Sequence, residues 1–137
     1  MKDSVKVNWK KGMAFEADIK GFKLMMDASK EHGGNDLGPR PKPLSMVSLA
    51  GCTGMDVVSI LAKMRVELED FSLIVNSELT DEHPKQFTAM HIIYQFKGKD
   101  LPVDKLQKAI DLSQERYCGV SASFRKAMKI TYEIQLL

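Results

Sequence analysis

The stretch from Pro43 to Arg65 constrains the fold most. At about 100° per residue, Leu44, Val47, Gly51, Met55, Val58 and Ala62 share one face of a helix, and Met46, Ala50, Val57, Leu61 and Met64 cover the opposite one. A small sheet buries only one such face, so the other calls for a second layer or a second chain. A homodimer is the economical solution. Between the faces runs a narrow stripe of Ser45, Ser48, Cys52, Asp56, Ser59 and Lys63, which sets Cys52 among small and polar side chains where reagents reach it. Gly51 and Gly54 each cost roughly 1 kcal/mol relative to Ala in a helix interior, which another element packing close to the backbone would explain. Asp56 inside the apolar run costs about 2.5–3.5 kcal/mol on membrane-insertion scales, so the stretch is predicted to be a buried helix rather than a membrane span.

Around this helix the pattern alternates between periods of two and 3.6. Val5–Trp9, Met13–Ile19 and Phe22–Asp27 read as three strands with a tight turn at Lys20-Gly21, followed by a mobile loop through Glu31–Asp36. Gly38-Pro39-Arg40-Pro41-Lys42-Pro43 keeps the backbone extended up to a proline suited to a first helical position. Alternation at Phe71, Leu73 and Val75 and again from Thr88 to Phe96 predicts a hairpin turning at Asp81–Lys85. A second helix opens at Pro102, with Asp104 at its positive end and Val103, Leu106, Ala109, Ile110 and Tyr117 at helical spacing, and ends near Cys118-Gly119. A helical turn through Ser121–Ala127 and a strand carrying Ile130, Tyr132, Ile134 and Leu136 complete the chain. The order βββα-ββα-αβ is an α+β class, and 137 residues suit a single domain, 1–137.

Several function classes are excluded. A net charge of +2 gives no electrostatic footprint for nucleic acid or acidic lipid, and 7% aromatic content leaves few rings for stacking on bases. The first twenty residues carry no apolar core of a secretory signal, so a cytoplasmic protein is expected, in which two cysteines form no structural disulfide framework. His32, His83 and His91 have no metal-ligand spacing with one another or with cysteine, so no metal is expected. Neither Gly33-Gly34 nor Gly51-x-x-Gly54 has the strand–loop–helix context of a phosphate cradle, and Ser45, Ser48 and Ser59 lack a partnered histidine. No cofactor is implied. The methionines are ordinary core filler.

A free cysteine is usually a small buried hydrophobe, and Asp56 one turn from Cys52 disfavours its thiolate; a reactive Cys52 needs a cationic neighbour. Two motifs nevertheless carry a specific resemblance. Gly38-Pro39-Arg40-Pro41-Lys42-Pro43-Leu44 leads into a helix with Leu49-Ala50-Gly51-Cys52-Thr53, and Glu115-Arg116-Tyr117-Cys118-Gly119-Val120-Ser121 follows the second helix. In order, spacing and element type over nearly the whole chain, the sequence resembles the OsmC/Ohr family. The resemblance implies antiparallel-rich sheets wrapped over long central helices in an intertwined homodimer, with active sites at the subunit interface. It also implies thiol-dependent reduction of organic hydroperoxides in oxidative-stress defence: Cys52 is the peroxidatic nucleophile, Cys118 the resolving thiol, and an external dithiol the reductant.

The sequence departs from that family at one point. Its peroxidases carry a glutamate ten residues before the nucleophile, paired with an N-terminal arginine that activates the thiol; here Lys42 occupies the position and residues 1–39 contain no arginine. Lys42, Arg40, Arg116 and Arg125 are the replacement cations to test, with Glu115 orienting one of them, and Arg116 beside the second motif is preferred. The plain alternative for each is a solvated surface charge. An apolar pocket drawn from Met46, Leu49, Met55, Tyr117 and Phe124 would suit alkyl or aryl hydroperoxides. Two further readings stay open: a non-catalytic dimer binding an apolar small molecule, and a thiol redox sensor.

Overall fold

Two adjacent residues of positive φ, Lys20 and Gly21, make the two-residue turn that joins strands β2 (Phe15–Ile19) and β3 (Phe22–Met26). A turn with both central residues left-handed matches the twist of a hairpin, and the Asp18 carboxylate accepts the Gly21 amide at 2.9 Å to fix it. Strand β1 (Lys6–Trp9) pairs antiparallel on the other side of β2, with Val7, Ala17 and Leu24 in register across the sheet. The expected meander is present. In this computed structural model, which describes residues 1–137, the sheet belongs to a unit of residues 1–45, and residues 46–137 form a second unit.

The loop after β3 differs from expectation. The buried Asp27 carboxylate accepts the backbone amides of Ala28, Asn35 and Leu37, and a single 3-10 turn spans Lys30–His32. Burial alone would raise the carboxyl's pKa; the three amides and the charge of Arg40 prevail and hold it below the ordinary value. Residues 31–36 are therefore tied to a buried charge rather than free. A Cβ on Gly34 would lie 2.0 Å from the Ala28 carbonyl oxygen, so only glycine fits that crossing. The unit buries few apolar side chains of its own: Ala14 and Ala17 are covered, whereas Trp9, Phe15 and Phe22 are exposed.

Helix α1 (Pro41–Lys63) begins two residues before Pro43, because both prolines sit in the first turn, where a missing N–H has no intrahelical partner. It ends two residues before Arg65, which adopts positive φ. In the larger unit its Leu49, Val57 and Leu61 are fully buried, while Val47, Met55 and Val58 on the opposite face are exposed. The helix is long and apolar enough to cross a bilayer by composition alone, but these core contacts and the polar stripe through Asp56 make it a core helix.

Strands β4 (Asp70–Leu79) and β5 (Phe87–Lys97) form the expected hairpin, antiparallel from Asp70↔Lys97 with a register shift at Glu78/Leu79. Met90, Ile92, Tyr94 and Phe96 alternate onto the inner face of β5 and pack with α1 and with Leu106, Ala109 and Ile110 of helix α2 (Val103–Leu112). Each fully buried aliphatic side chain in this cluster contributes about 1.5–3 kcal/mol. The last strand, β6 (Lys129–Leu136), pairs with β5 in parallel, giving the order β4-β5-β6; a parallel neighbour requires a long crossover, which α2 and the short helix α3 (Gly119–Phe124) supply.

The second helix does not run regularly to Cys118. After Leu112 it widens into a π turn over Ser113–Tyr117, closed by the Cys118 amide donating to the Ser113 carbonyl at 2.7 Å. The wider turn rotates later residues relative to the apolar stripe, and Tyr117, expected on that stripe, is 57% exposed instead.

Candidate functional site

The π turn delivers Cys118 to the N-cap of α3, where its sulfur accepts the Ser121 amide at 3.4 Å. Cys52 and Asp56, four residues apart, lie on one face of α1. The crossover brings these elements together: Cys52 Sγ, Cys118 Sγ and an Asp56 carboxylate oxygen all lie within 4.8 Å of one another. The two cysteines are sixty-six positions apart in the chain, so the proximity is a property of the fold. Both cysteines are free thiols; Cys118 is buried at 2% exposure, and Cys52 is partly accessible.

Electrostatics at Cys52 favour the protonated thiol. Burial raises the pKa of the Cys52 thiol above its ordinary value, the Val120 amide bonded to it pulls the other way, and the adjoining Cys118 thiol and the Asp56 charge raise it further. The carboxylate effect anticipated from the i,i+4 spacing is present.

The cations proposed to offset it are engaged elsewhere or exposed. Arg116 stacks over the Tyr117 ring with its guanidinium carbon 5.8 Å from the centroid, and Glu115 is exposed beside it. Arg40 pairs with Asp36 and donates to the Gly38 carbonyl at 3.1 Å. Lys42 is exposed on the first turn of α1. Arg125 donates to the Gln114 side-chain carbonyl at 3.4 Å.

That last contact opens onto a feature the sequence reading did not single out. The Thr53 hydroxyl is 2.7 Å from both the Tyr94 and Ser113 hydroxyls, Gln114 Nε2 donates to Tyr94 at 2.8 Å and to Thr53 at 3.3 Å, and Ser113 donates to Asp56 at 2.9 Å. A chain of hydrogen bonds, buried at its centre and part-buried at both ends, thus runs from Arg125 at the surface to the carboxylate beside Cys52. Burial raises the Tyr94 phenol to about 12 against the lowering effect of its bonds to Thr53 and Gln114. The signal was available: Ser113 and Gln114 continue the stripe of Leu106, Ala109 and Ile110 at spacings of three and four, so two polar residues occupied core positions.

The expected apolar pocket is also rearranged. Leu49 is core, and Met46 and Phe124 pack against the core. Met55 instead lines an open groove of about 610 Å³ with Val47, Ala50, Gly51, Val58 and Leu73. Gly54 accepts Leu73 close by, where an added Cβ would stand 3.1 Å from its methyl, whereas Gly51 faces open space. Tyr117 lines a separate recess with Asp56, Ser59, Ile60, Lys63 and Leu112.

Comparison with known proteins places this arrangement in context. Residues 33–133 match the model of the family described as OsmC-like protein. Protein YhfA of Escherichia coli K12 is 34% identical over 133 residues, 96% of each chain. A hypothetical protein of Aquifex aeolicus VF5 superposes with a TM-score of 0.83 at 27% identity, covering 100% of this chain and 98% of that one. The organic hydroperoxide resistance protein OhrB of Bacillus subtilis shares the fold at a TM-score of 0.69 and 16% identity, with 98% of each chain covered. The chain belongs to the OsmC-like protein family.

Proposed function

We propose that this protein is a thiol-dependent peroxidase for organic hydroperoxides, acting as a cytoplasmic homodimer. The observation that carries the reading is the meeting of Cys52 and Cys118, one partly accessible and one buried, within 4.8 Å. The Cys52 thiolate attacks the outer peroxide oxygen, the O–O bond breaks, and the alkoxide leaves and takes a proton to become an alcohol. The resulting sulfenic acid condenses with the Cys118 thiol, releasing water and forming a disulfide that an external dithiol reduces. The Val120 amide, already bonded to Cys52, stabilises the attacking thiolate. The organic hydroperoxide resistance proteins that share the fold lend this chemistry further support.

The dimer is supported by unpartnered apolar surface in both units. Met55 is 77% and Phe22 78% exposed in the single chain, and a second copy of the chain would cover such surfaces. The groove over Gly51 and Met55 lies on the apolar face of α1 that the chain itself leaves exposed.

The test is stopped-flow oxidation with cumene hydroperoxide followed by mass spectrometry. The expected result is stoichiometric alcohol formation, an intramolecular Cys52–Cys118 disulfide, no turnover in Cys52→Ser, and a trapped sulfenic acid in Cys118→Ser. Oxidation of Cys52 no faster than that of a model thiol would overturn the reading and favour a non-catalytic binding dimer.

A further inference from the structure

From the convergence of Cys52, Asp56 and Cys118 we infer that the reduced protein binds one zinc ion per chain, through two sulfurs and one carboxylate oxygen with a fourth position left for water. The test applied to the sequence asked for local ligand spacing among histidines and cysteines, and so could not see a cluster assembled from α1 and the N-cap of α3.

Three observations carry the site. The first is distance. Zinc takes sulfur at about 2.3 Å and carboxylate oxygen at about 2.0–2.2 Å, which in a tetrahedron sets ligand atoms roughly 3.6–3.8 Å apart. The three atoms here all lie within 4.8 Å, so closure on an ion needs side-chain rotation of about 1 Å and no movement of the backbone.

The second is orientation, since metal ligands are commonly held by donors behind them. Ser113 donates to one Asp56 oxygen at 2.9 Å, leaving the other for an ion, and Ser113 is itself fixed by Thr53. The Ser121 amide donates to Cys118, and the Val120 amide to Cys52. Each ligand is therefore aimed by a group that does not compete for the metal.

The third is charge. Arg40, Arg116 and Arg125 make their contacts with Asp36, Tyr117 and Gln114 rather than with the three ligand groups. A divalent ion would offset the Asp56 carboxylate, and its binding would displace both thiol protons to solvent and turn the two thiols and the carboxylate into ligands. Two sulfurs select a soft or borderline ion over magnesium or calcium, and Cys52 and Asp56 are each partly exposed.

The inference stands apart from the peroxidase reading, although both use the same sulfurs. The experiment titrates the reduced full-length chain with zinc alone in competition with a chromophoric chelator, and with cobalt(II) as a spectroscopic probe. One ion per chain, with thiolate-to-cobalt charge-transfer and tetrahedral ligand-field bands, is expected. Asp56→Asn and Cys118→Ser should each weaken zinc binding at least tenfold, Ser113→Ala should weaken it about 10-fold, and the diamide-oxidised chain should bind none. Circular dichroism checks that each variant is folded. Absence of binding at micromolar zinc, or binding that survives both Asp56→Asn and Cys118→Ser, overturns the inference. Hydroperoxide oxidation is followed in the same zinc-free samples. A chain that forms the disulfide but takes up no zinc overturns this site alone, and a chain that binds zinc but does not react with hydroperoxide overturns only the peroxidase reading.

Discussion

Thr53→Val tests whether the buried hydrogen-bond chain behind the cysteines is as ordered as its geometry. Valine keeps the shape of threonine and removes one hydroxyl, which in this site sits 2.7 Å from Tyr94, 2.7 Å from Ser113 and 3.3 Å from Gln114. Buried hydrogen bonds contribute about 0.5–1.5 kcal/mol each, and the two short ones dominate. The partners are not orphaned, because Tyr94 retains Gln114 and Ser113 retains Asp56, so the full desolvation penalty is avoided. The expected loss is about 1–3 kcal/mol, read from urea unfolding of the reduced protein at one fixed chain concentration. Because Thr53 and Ser113 share a hydrogen bond, the double variant with Ser113→Ala should cost less than the sum of the two singles, with a coupling of at least about 0.5 kcal/mol. The same substitution should slow Cys52–Cys118 disulfide formation, since the chain ties α1 to the π turn that presents Cys118. A neutral Thr53→Val, or strict additivity with Ser113→Ala, would refute the ordered chain.

Tyr94 and Met55 give two further outcomes. Tyr94 has its folded pKa raised from 10.0 to about 12, so its stabilising contribution is complete below pH 10 and is lost as pH rises toward 12, on the order of 2–3 kcal/mol in all. Tyr94→Phe should remove that alkaline slope, measured by urea midpoints from pH 9 upward on the wild type and the variant. Met55→Glu places a charge on the open face of α1 and should convert a dimer to a monomer in sedimentation velocity; an unchanged sedimentation coefficient would move the interface off this groove.

What the sequence made legible is local. The Lys20-Gly21 turn, the apolar faces of α1 and the alternation on β5 each depend on residues close in the chain, and each appears where periodicity put it. The ends of α1 moved by two residues because proline tolerance in a first turn and the left-handed Arg65 are decided by neighbouring backbone rather than by pattern. The loop after β3 was misread as mobile because turn residues say nothing of Asp27, eight residues before Asn35, whose buried charge organises it. The parallel pairing of β6 and the π turn were not legible at all. Both follow from how the crossover has to travel to bring its end back to β5, which is a long-range demand.

The site divides along the same line. The i,i+4 relation of Cys52 and Asp56 and the tendency of that carboxylate to hold the thiol protonated could be derived from helix geometry alone. The neighbour that would release it could not, and the preferred Arg116 stacks on Tyr117 instead. Proximity in sequence to a cysteine motif is a poor guide here because the π turn turns residues 115–117 outward while drawing Cys118 inward. The result is a site whose prospective charges are all negative. Beyond the Val120 amide, a thiolate at Cys52 must therefore borrow its stabilisation from something that arrives, whether a cation of a second chain at the open face of α1 or a metal ion among the three ligands. Either arrival acts on the same sulfur, and coordination to a metal draws electron density from a thiolate and lowers its nucleophilicity toward a peroxide oxygen. Reactivity toward peroxide and affinity for zinc are then opposing demands on one atom, and zinc occupancy in the reduced state would shield Cys52 until the ion is released.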